Sequence, residues 1–378
     1  MTNEVKNIPE LRFPEFIEEW CNKDVGQVVN VYDGTHQTPK YTNKGIKFLS
    51  VENIKTLKSN KFISKEAFEK DFKVRPELGD ILMTRIGDVG TPKVVNSNED
   101  LAYYVSLALL KPKSIHSYFL EALIKSPTIQ NEIWRKTLHI AFPKKINKNE
   151  IAKIMISYPK SEEQQKIGDF FSKLDRQIEL EEQKLEKLEE QKKGYMQKIF
   201  SQELRFKDNN GEEYPKWESK KLEEVAIINT GKSKIVNEES AAYSNLGSTG
   251  VLGKSSHYEY DGNFILTARV GHYAGKLYNF SGKANISDNT IFLETDLNLN
   301  FTLNMLNNYN LKRIAFGSGQ PLIKSSELKK LIFNIPCGEE EQKIGGFLSG
   351  FDSLIGKQSH KIELLRERKK GFLQKMFV

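Results

Sequence analysis

The segment from Pro159 to Phe200 returns, without a gap, as the segment from Pro336 to Phe377. The first copy opens P-K-S-E-E-Q-Q-K-I-G-D-F-F-S-K-L-D and closes K-K-G-Y-M-Q-K-I-F. The second opens P-C-G-E-E-E-Q-K-I-G-G-F-L-S-G-F-D and closes K-K-G-F-L-Q-K-M-F. About half of the aligned positions are identical. An internal repeat constrains a fold before local propensity does, because both copies need equivalent surroundings.

Each copy reads as one long helix with a single apolar seam. In the first, Ile167, Phe171, Leu174, Ile178, Leu185, Leu188, Tyr195 and Ile199 follow steps of three and four. Ile344, Leu348, Phe351, Ile355, Ile362, Leu365, Phe372 and Met376 do so in the second. That spacing is a coiled-coil seam, and about 38 residues of helix span about 57 Å. The seam is interrupted by Glu181 and Lys192 in one copy and by Gln358 and Lys369 in the other. An antiparallel pair is expected, with Glu181 in the layer of Lys369 and Lys192 in that of Gln358, since a buried polar layer can set register.

The repeat extends beyond the helices. E-L-R-F at Glu10–Phe13, followed by Trp20, returns as Glu203–Phe206, followed by Trp217. The turn T-R-I-G-D-V-G at Thr84–Gly90 has a partner in A-R-V-G-H-Y-A-G at Ala268–Gly275. Each intervening part has the length of an ordinary domain. Strands are expected at Gly45–Val51, Asp80–Ile86, Tyr103–Leu110 and Asn263–Val270, and helices at His116–Lys125, Pro127–Trp134 and Leu297–Asn310. The fold class is α+β. Two globular α/β domains are separated by two long helices that form an antiparallel coiled coil, a pseudo-two-fold repeat. The boundaries are 1–158, 159–202, 203–335 and 336–378.

Lys and Arg exceed Asp and Glu by 57 to 50, a net charge of +7 that favours polyanion partners weakly. The two cysteines, Cys21 and Cys337, share no motif, and the six histidines are scattered. No metal site and no cofactor are expected. The opening residues lack an apolar signal core and no apolar run is long enough to cross a bilayer. A cytoplasmic protein without membrane contact is expected.

No catalytic motif stands out. G-S-T-G-V-L-G-K-S at Gly247–Ser255 has Ser248 where a phosphate loop needs glycine, and reads as a surface loop. Arg85 and Arg269 stand at equivalent strand ends. They serve phosphate or guanine contact through the planar donor fork, or the structure of their own turn, with phosphate contact or structure favoured over base reading. The turn-rich loop with Thr35, His36, Gln37, Thr38 and Lys40 carries mixed donors and acceptors suited to reading base edges. Its counterparts in the second half are Lys232, Ser233 and Lys234, and the Gly317–Gln320 loop with Ser318 and Gln320. A duplicated nuclease and a coiled-coil adaptor remain alternatives on these grounds. The lack of a paired acidic-lysine motif in equivalent places counts against the nuclease, and sequence-selective DNA binding separates the adaptor.

Taken together, the twin P-x-x-E-x-x-Q-K-I-G-x-F helices, the K-K-G-[YF] endings, the P-E-L-R-F-P-x-F start and the paired Arg-Gly turns resemble the DNA-specificity subunits of type I restriction-modification enzymes. The resemblance covers nearly the whole chain. It implies two target recognition domains, at 1–158 and 203–335, held apart by two conserved long helices. It implies double-stranded DNA as ligand, two methyltransferase subunits as partners and restriction subunits reached through them. It also implies that this chain is not itself an enzyme.

Overall fold

The computed structural model describes residues 7–317 and 319–378. It divides into two units. One holds the chain up to Glu181 together with Lys361–Val378, the other Glu182–His360.

In the first unit the strands are β1 (Cys21–Asp24), β2 (Val29–Asp33), β3 (Ile46–Leu49), β4 (Phe62–Ile63), β5 (Ile81–Ile86), β6 (Asp88–Val94), β7 (Leu101–Tyr103), β8 (Leu107–Pro112) and β9 (Met155–Tyr158). They form a four-stranded sheet in the order β2-β8-β5-β6, a three-stranded sheet β4-β3-β7, and the ribbon β1-β9. β5 and β8 are apolar without alternation because both of their faces are covered. Ile81, Met83, Ala108 and Leu110 face a core with Trp20 and Phe119, whereas Leu82, Leu107 and Leu109 face one with Phe48 and Phe68. The apolar run Tyr103–Leu110, expected as one strand, is two. β7 pairs with β3 in one sheet and β8 with β2 and β5 in another, so the chain turns between them.

The second unit contains β10 (Glu218–Lys221), β11 (Ala226–Thr230), β12 (Tyr243–Gly247), β13 (Gly250–Ser255), β14 (Tyr260–Ala268), β15 (Leu277–Ile286), β16 (Thr290–Thr295) and β17 (Ile332–Ile335). Six of them make one sheet, β11-β16-β14-β15-β12-β13, and β10-β17 repeats the ribbon of the first unit. Residues Gly247–Ser255 lie in the β12–β13 hairpin, with no helix after the glycines.

The long helices are Ser161–Phe200 and Gly338–Lys375. Each begins with the same contact to its own globular part. Arg12 of the first E-L-R-F donates to both oxygens of Glu163, each at 2.7 Å. Arg205 of the second grips Glu340 at 3.2 and 2.6 Å. One turn on, Gly168 and Gly345 let a short helix press its N-terminus against the long one. A Cβ at Gly168 would stand 2.7 Å from His116 Nδ1 and 2.8 Å from the Phe119 nitrogen, and one at Gly345 would stand 2.1 Å from Asn298 Oδ1. A Cβ at Gly194 would meet nothing within 4 Å beyond its own helix turn. Gly194→Ala is therefore expected to raise stability by about 0.5–1 kcal/mol, the ordinary gain from replacing helical glycine. Gly168→Ala is expected to lose about 1–3 kcal/mol through the clash, despite the same propensity gain. Chemical denaturation of the two variants reads both signs.

In the first unit Asp175 on one long helix is ion-paired with Lys369 on the other, and Glu181 with Lys361. Advancing along one helix retreats along the other, so the two run antiparallel. In the second unit Lys192 meets Asp352 at 2.7 Å and the Tyr195 ring packs edge-on against Phe347 at 5.2 Å. This corrects the expected register. Glu181 faces Lys361 and not Lys369, and Lys192 pairs with Asp352 and not with Gln358. The reason lies in the repeat. A pseudo-two-fold pairing builds each layer twice, and residues common to both copies, Asp175 with Asp352 and Lys192 with Lys369, make the same ion pair in both. Along the seam, Ile167, Phe171, Ile178, Ile344, Leu348 and Ile362 are buried, and Leu174, Leu185, Leu188, Phe351, Ile355 and Leu365 half-buried.

Asp175 also meets Lys125 at 3.1 Å, and Lys125 meets Glu121 at 2.7 Å. Burial alone would raise the Asp175 carboxyl, but the Lys125 and Lys369 charges outweigh it and hold it below the usual carboxylate range. Burial, reinforced by Lys125, lowers the Lys369 ammonium. With a folded pKa below the unfolded value near 3.9, Asp175 contributes stability that is fully present above that value. The contribution is lost as pH falls through the folded pKa. Asp175→Asn is expected to cost about 2 kcal/mol at pH 7. The difference from wild type should close below about pH 4, measured by denaturant titration across pH.

Candidate nucleic-acid interface

In the first unit β2 ends at Gly34, which passes so close to the neighbouring chain that a Cβ would stand 2.4 Å from the Tyr104 carbonyl. Only glycine fits there. Just beyond it the Thr35 N–H donates to the Tyr103 carbonyl at 3.2 Å, and the Val105 N–H donates back to the Thr35 carbonyl at 2.9 Å. The loop is thus pinned at its root. Thr35 is half-buried, with its hydroxyl accepting from the Gln37 N–H at 3.3 Å, and His36, Gln37, Thr38 and Lys40 stand exposed.

Arg85, at the end of β5, belongs to the frame and not to the exposed face. Its guanidinium is buried, ion-paired with Asp33 and donating to the Ile146 carbonyl at 3.1 Å. Its backbone donates to Ser106 and accepts from Ile146. Of the readings open to it, the contacts favour the structural one: burial and the bonds to Asp33 and Ile146 turn the guanidinium into the frame.

The second unit builds the same frame from other residues. β11 ends at Gly231, where a Cβ would stand 2.3 Å from the Ser287 carbonyl, and the Ser233 N–H donates to the Ile286 carbonyl at 2.9 Å. Ser233 is buried; its hydroxyl donates to Glu259 at 2.6 Å and accepts from the Ile286 N–H at 3.1 Å. It is a structural serine, which corrects its place among the contact candidates. Lys232 and Lys234 flank it, both exposed, on the rim of a groove that also holds Ser248, Thr249 and Asn289. Arg269 stands where Arg85 does, its N–H bonded to the Asn289 carbonyl at 2.9 Å and its carbonyl to the Ile323 N–H at 2.8 Å. The residue matching Asp33 is Thr230, so the Arg269 side chain is half-buried with no hydrogen bond or ion pair among the described residues. One arginine position therefore serves two purposes, closed by a carboxylate in one unit and open in the other.

A third loop completes each face, and in the first unit the sequence alone did not point to it. There Leu138 and Lys145 pair as a hairpin whose stem also bridges Ile86, and the Gly87 N–H donates to the Lys144 carbonyl at 2.9 Å. In the second unit Phe316 and Leu322 pair, Leu322 bridges Val270, and the Gly271 N–H donates to the Pro321 carbonyl at 2.8 Å. Gln320 is exposed on that hairpin; Ser318 lies outside the described residues. Each unit thus gathers three loops at one end of its sheet, and the side chains they present differ. Among the described residues no group of His, Cys, Asp and Glu is placed to hold a metal ion, and no helix is long and apolar enough to cross a membrane.

Comparison with known proteins gives a consistent result. The MjaVIII type I restriction enzyme specificity subunit of Methanocaldococcus jannaschii is 29% identical over 198 residues, covering 47% of this chain and 46% of that protein. A putative MjaX specificity subunit of the same organism is 41% identical over 58 residues, 15% of this chain and 14% of the relative. The match therefore spans less than half the length of either curated relative. Among solved structures, the type I restriction-modification S subunit from M. genitalium superposes with a TM-score of 0.70 at 15% identity over 98% of this chain and 99% of that one. A chain from a structure of a type I R-M system gives a TM-score of 0.52 at 14% identity, covering 94% and 96%. At such identities these two show the shared fold. The family model for the type I restriction modification DNA specificity domain matches residues 17–190 and again 214–365, most of the chain, and the chain belongs to that family.

Proposed function

We propose that this chain is the non-catalytic DNA-sequence-specificity subunit of a type I restriction-modification enzyme. It reads an asymmetric bipartite site in double-stranded DNA, one target recognition domain per half-site. The observation that carries this is one frame built twice with unlike presenting loops. Gly34–Thr35 and Gly231–Ser233 are pinned against equivalent strand ends, Tyr103–Tyr104 and Ile286–Ser287, yet one exposes His36, Gln37 and Thr38 and the other Lys232 and Lys234. Loops with mixed donors and acceptors suit base edges, and the exposed cations and the open Arg269 suit phosphates.

The long helices, continuous from one unit into the next in sequence, set the gap between the half-sites. They also dock two methyltransferase subunits and, through them, restriction subunits. Adenine methylation and ATP-driven cleavage belong to those partners, and the complex works in the cytoplasm.

The test is methylation mapping of the genome of cells that express the chain with its methyltransferase subunit. The expected result is methylated adenine in a motif of two unlike short half-sites around a fixed non-specific gap. A contiguous motif, or no modification dependent on this chain, would refute the reading.

A further inference from the structure

At the tip of the hairpin between Leu138 and Lys145, two large apolar side chains pack against nothing in the first unit. Ile140 and Phe142 are completely exposed. Their presentation is nevertheless fixed from both sides. The Leu138 N–H donates to the Lys145 carbonyl at 2.7 Å, Gly87 anchors Lys144, and the Ile146 N–H donates to the Arg85 carbonyl at 3.0 Å. His139 packs on Trp134 with ring centroids 4.7 Å apart, and its Nε2 lies 2.8 Å from the Trp134 carbonyl. An exposed aromatic held on a braced stem is arranged to meet something apolar.

The charge around it selects the kind of partner. From Arg135 to Lys148 the chain contains no acidic residue, and Lys136, Lys144 and Lys145 make no ion pair among the described residues. A surface that is cationic at its shoulders and apolar at its tip complements a polyanion with an apolar interior, which describes a DNA duplex. The unlike counterpart in the second unit argues against a protein partner shared by both units. Contacts common to both units, such as Arg12–Glu163 and Arg205–Glu340, are kept in both. The second hairpin instead carries Gly317, Gly319 and Gln320 at its tip. A surface for a partner present at both units would be retained, whereas one facing two different half-sites would diverge.

We propose that Phe142, with Ile140 beside it, is a wedge that enters the duplex at the half-site of the first unit and unstacks a base step there. Lys144 and Lys145 hold the flanking phosphates. Apolar side chains inserted between base steps are a known way to kink DNA and widen the contacted surface. The inference rests on the DNA-reading role proposed above.

The experiment uses the full chain assembled with its methyltransferase subunits, on a duplex carrying the mapped site. 2-Aminopurine replaces, in turn, each base of the first half-site and its flanks except the methylated adenine. Wild type is expected to bind and to brighten the probe at one step. Phe142→Ala is expected to abolish that signal and weaken binding about 10- to 100-fold, the range for loss of one aromatic–base stack. Phe142→Trp should restore both. Full exposure of Phe142 removes misfolding as an explanation. Tight wild-type binding with no bright step, or an unchanged Phe142→Ala, overturns the wedge and leaves DNA reading intact. Loss of subunit assembly in Phe142→Ala would make the tip a protein contact and also overturns it. Failure of wild type to bind the mapped duplex would overturn the DNA-reading role itself.

Discussion

Arg12→Ala is expected to cost about 3–5 kcal/mol of unfolding free energy. Glu163 is only 2% exposed and Arg12 only 10%. The carboxylate sits in the first turn of its long helix, where the aligned N–H groups favour a negative charge. That partial compensation is too small for a charge stripped of its only side-chain donor among the described residues. Removing one member of a buried pair is costly because the other stays buried and unpaired. The equivalent change in the second unit, Arg205→Ala, should cost less. Glu340 is fully buried, but it keeps the Trp217 indole N–H at 2.9 Å, whereas the matching indole of Trp20 finds no partner. The double variant Arg12→Met with Glu163→Leu should recover most of the loss, since an apolar pair of similar volume replaces a buried ion pair at little cost. Urea unfolding of the variants ranks them. A loss below about 1 kcal/mol for Arg12→Ala, or a larger loss for Arg205→Ala, would show that this clasp does not hold the helix to its domain.

Removing one helical turn, four residues, from each long helix should shorten the gap in the modified site by between one and two base pairs. The turn removes about 6 Å of helix, and each base pair occupies about 3.4 Å along the duplex. Both half-sites should stay the same, because the presenting loops are rooted in the sheets through Gly34, Gly231 and their carbonyl neighbours and not in the helices. The same turn removed from one helix alone should be worse than from both. It breaks the correspondence that lets Asp175 meet Lys369 and Lys192 meet Asp352. Methylation mapping of strains carrying the shortened chains reads both outcomes. An unaltered gap, or an altered half-site, would sink the idea that the helices act as a ruler.

The duplication was legible because it is written in the residues themselves, and with it the two long helices and their antiparallel sense. The register is not set at Glu181 and Gln358, which differ between the copies, whereas the aspartate and lysine common to both carry the layer. Among the candidate contacts, the exposure of His36, Gln37, Thr38 and Lys40 was legible from the turn formers around them, as was that of Lys232 and Lys234. Arg85 and Arg269 could not be told apart from their own segments. What separates them is Asp33 against Thr230, on strands distant in sequence. The exposure of the Leu138–Lys145 hairpin is not legible in the sequence, because a short stretch such as L-H-I-A-F-P reads equally as a buried strand.

By itself, then, the sequence determined the number of units, the element types with a strong period, and the equivalence of the two halves. Those properties follow from spacing along one chain, through helical period, repeat and glycine placement. Tertiary structure alone decided which equivalent side chains are closed by a partner and which are left open to solvent. Burial and charge pairing depend on neighbours brought together from far along the chain, and two identical arginines differ once their neighbours do.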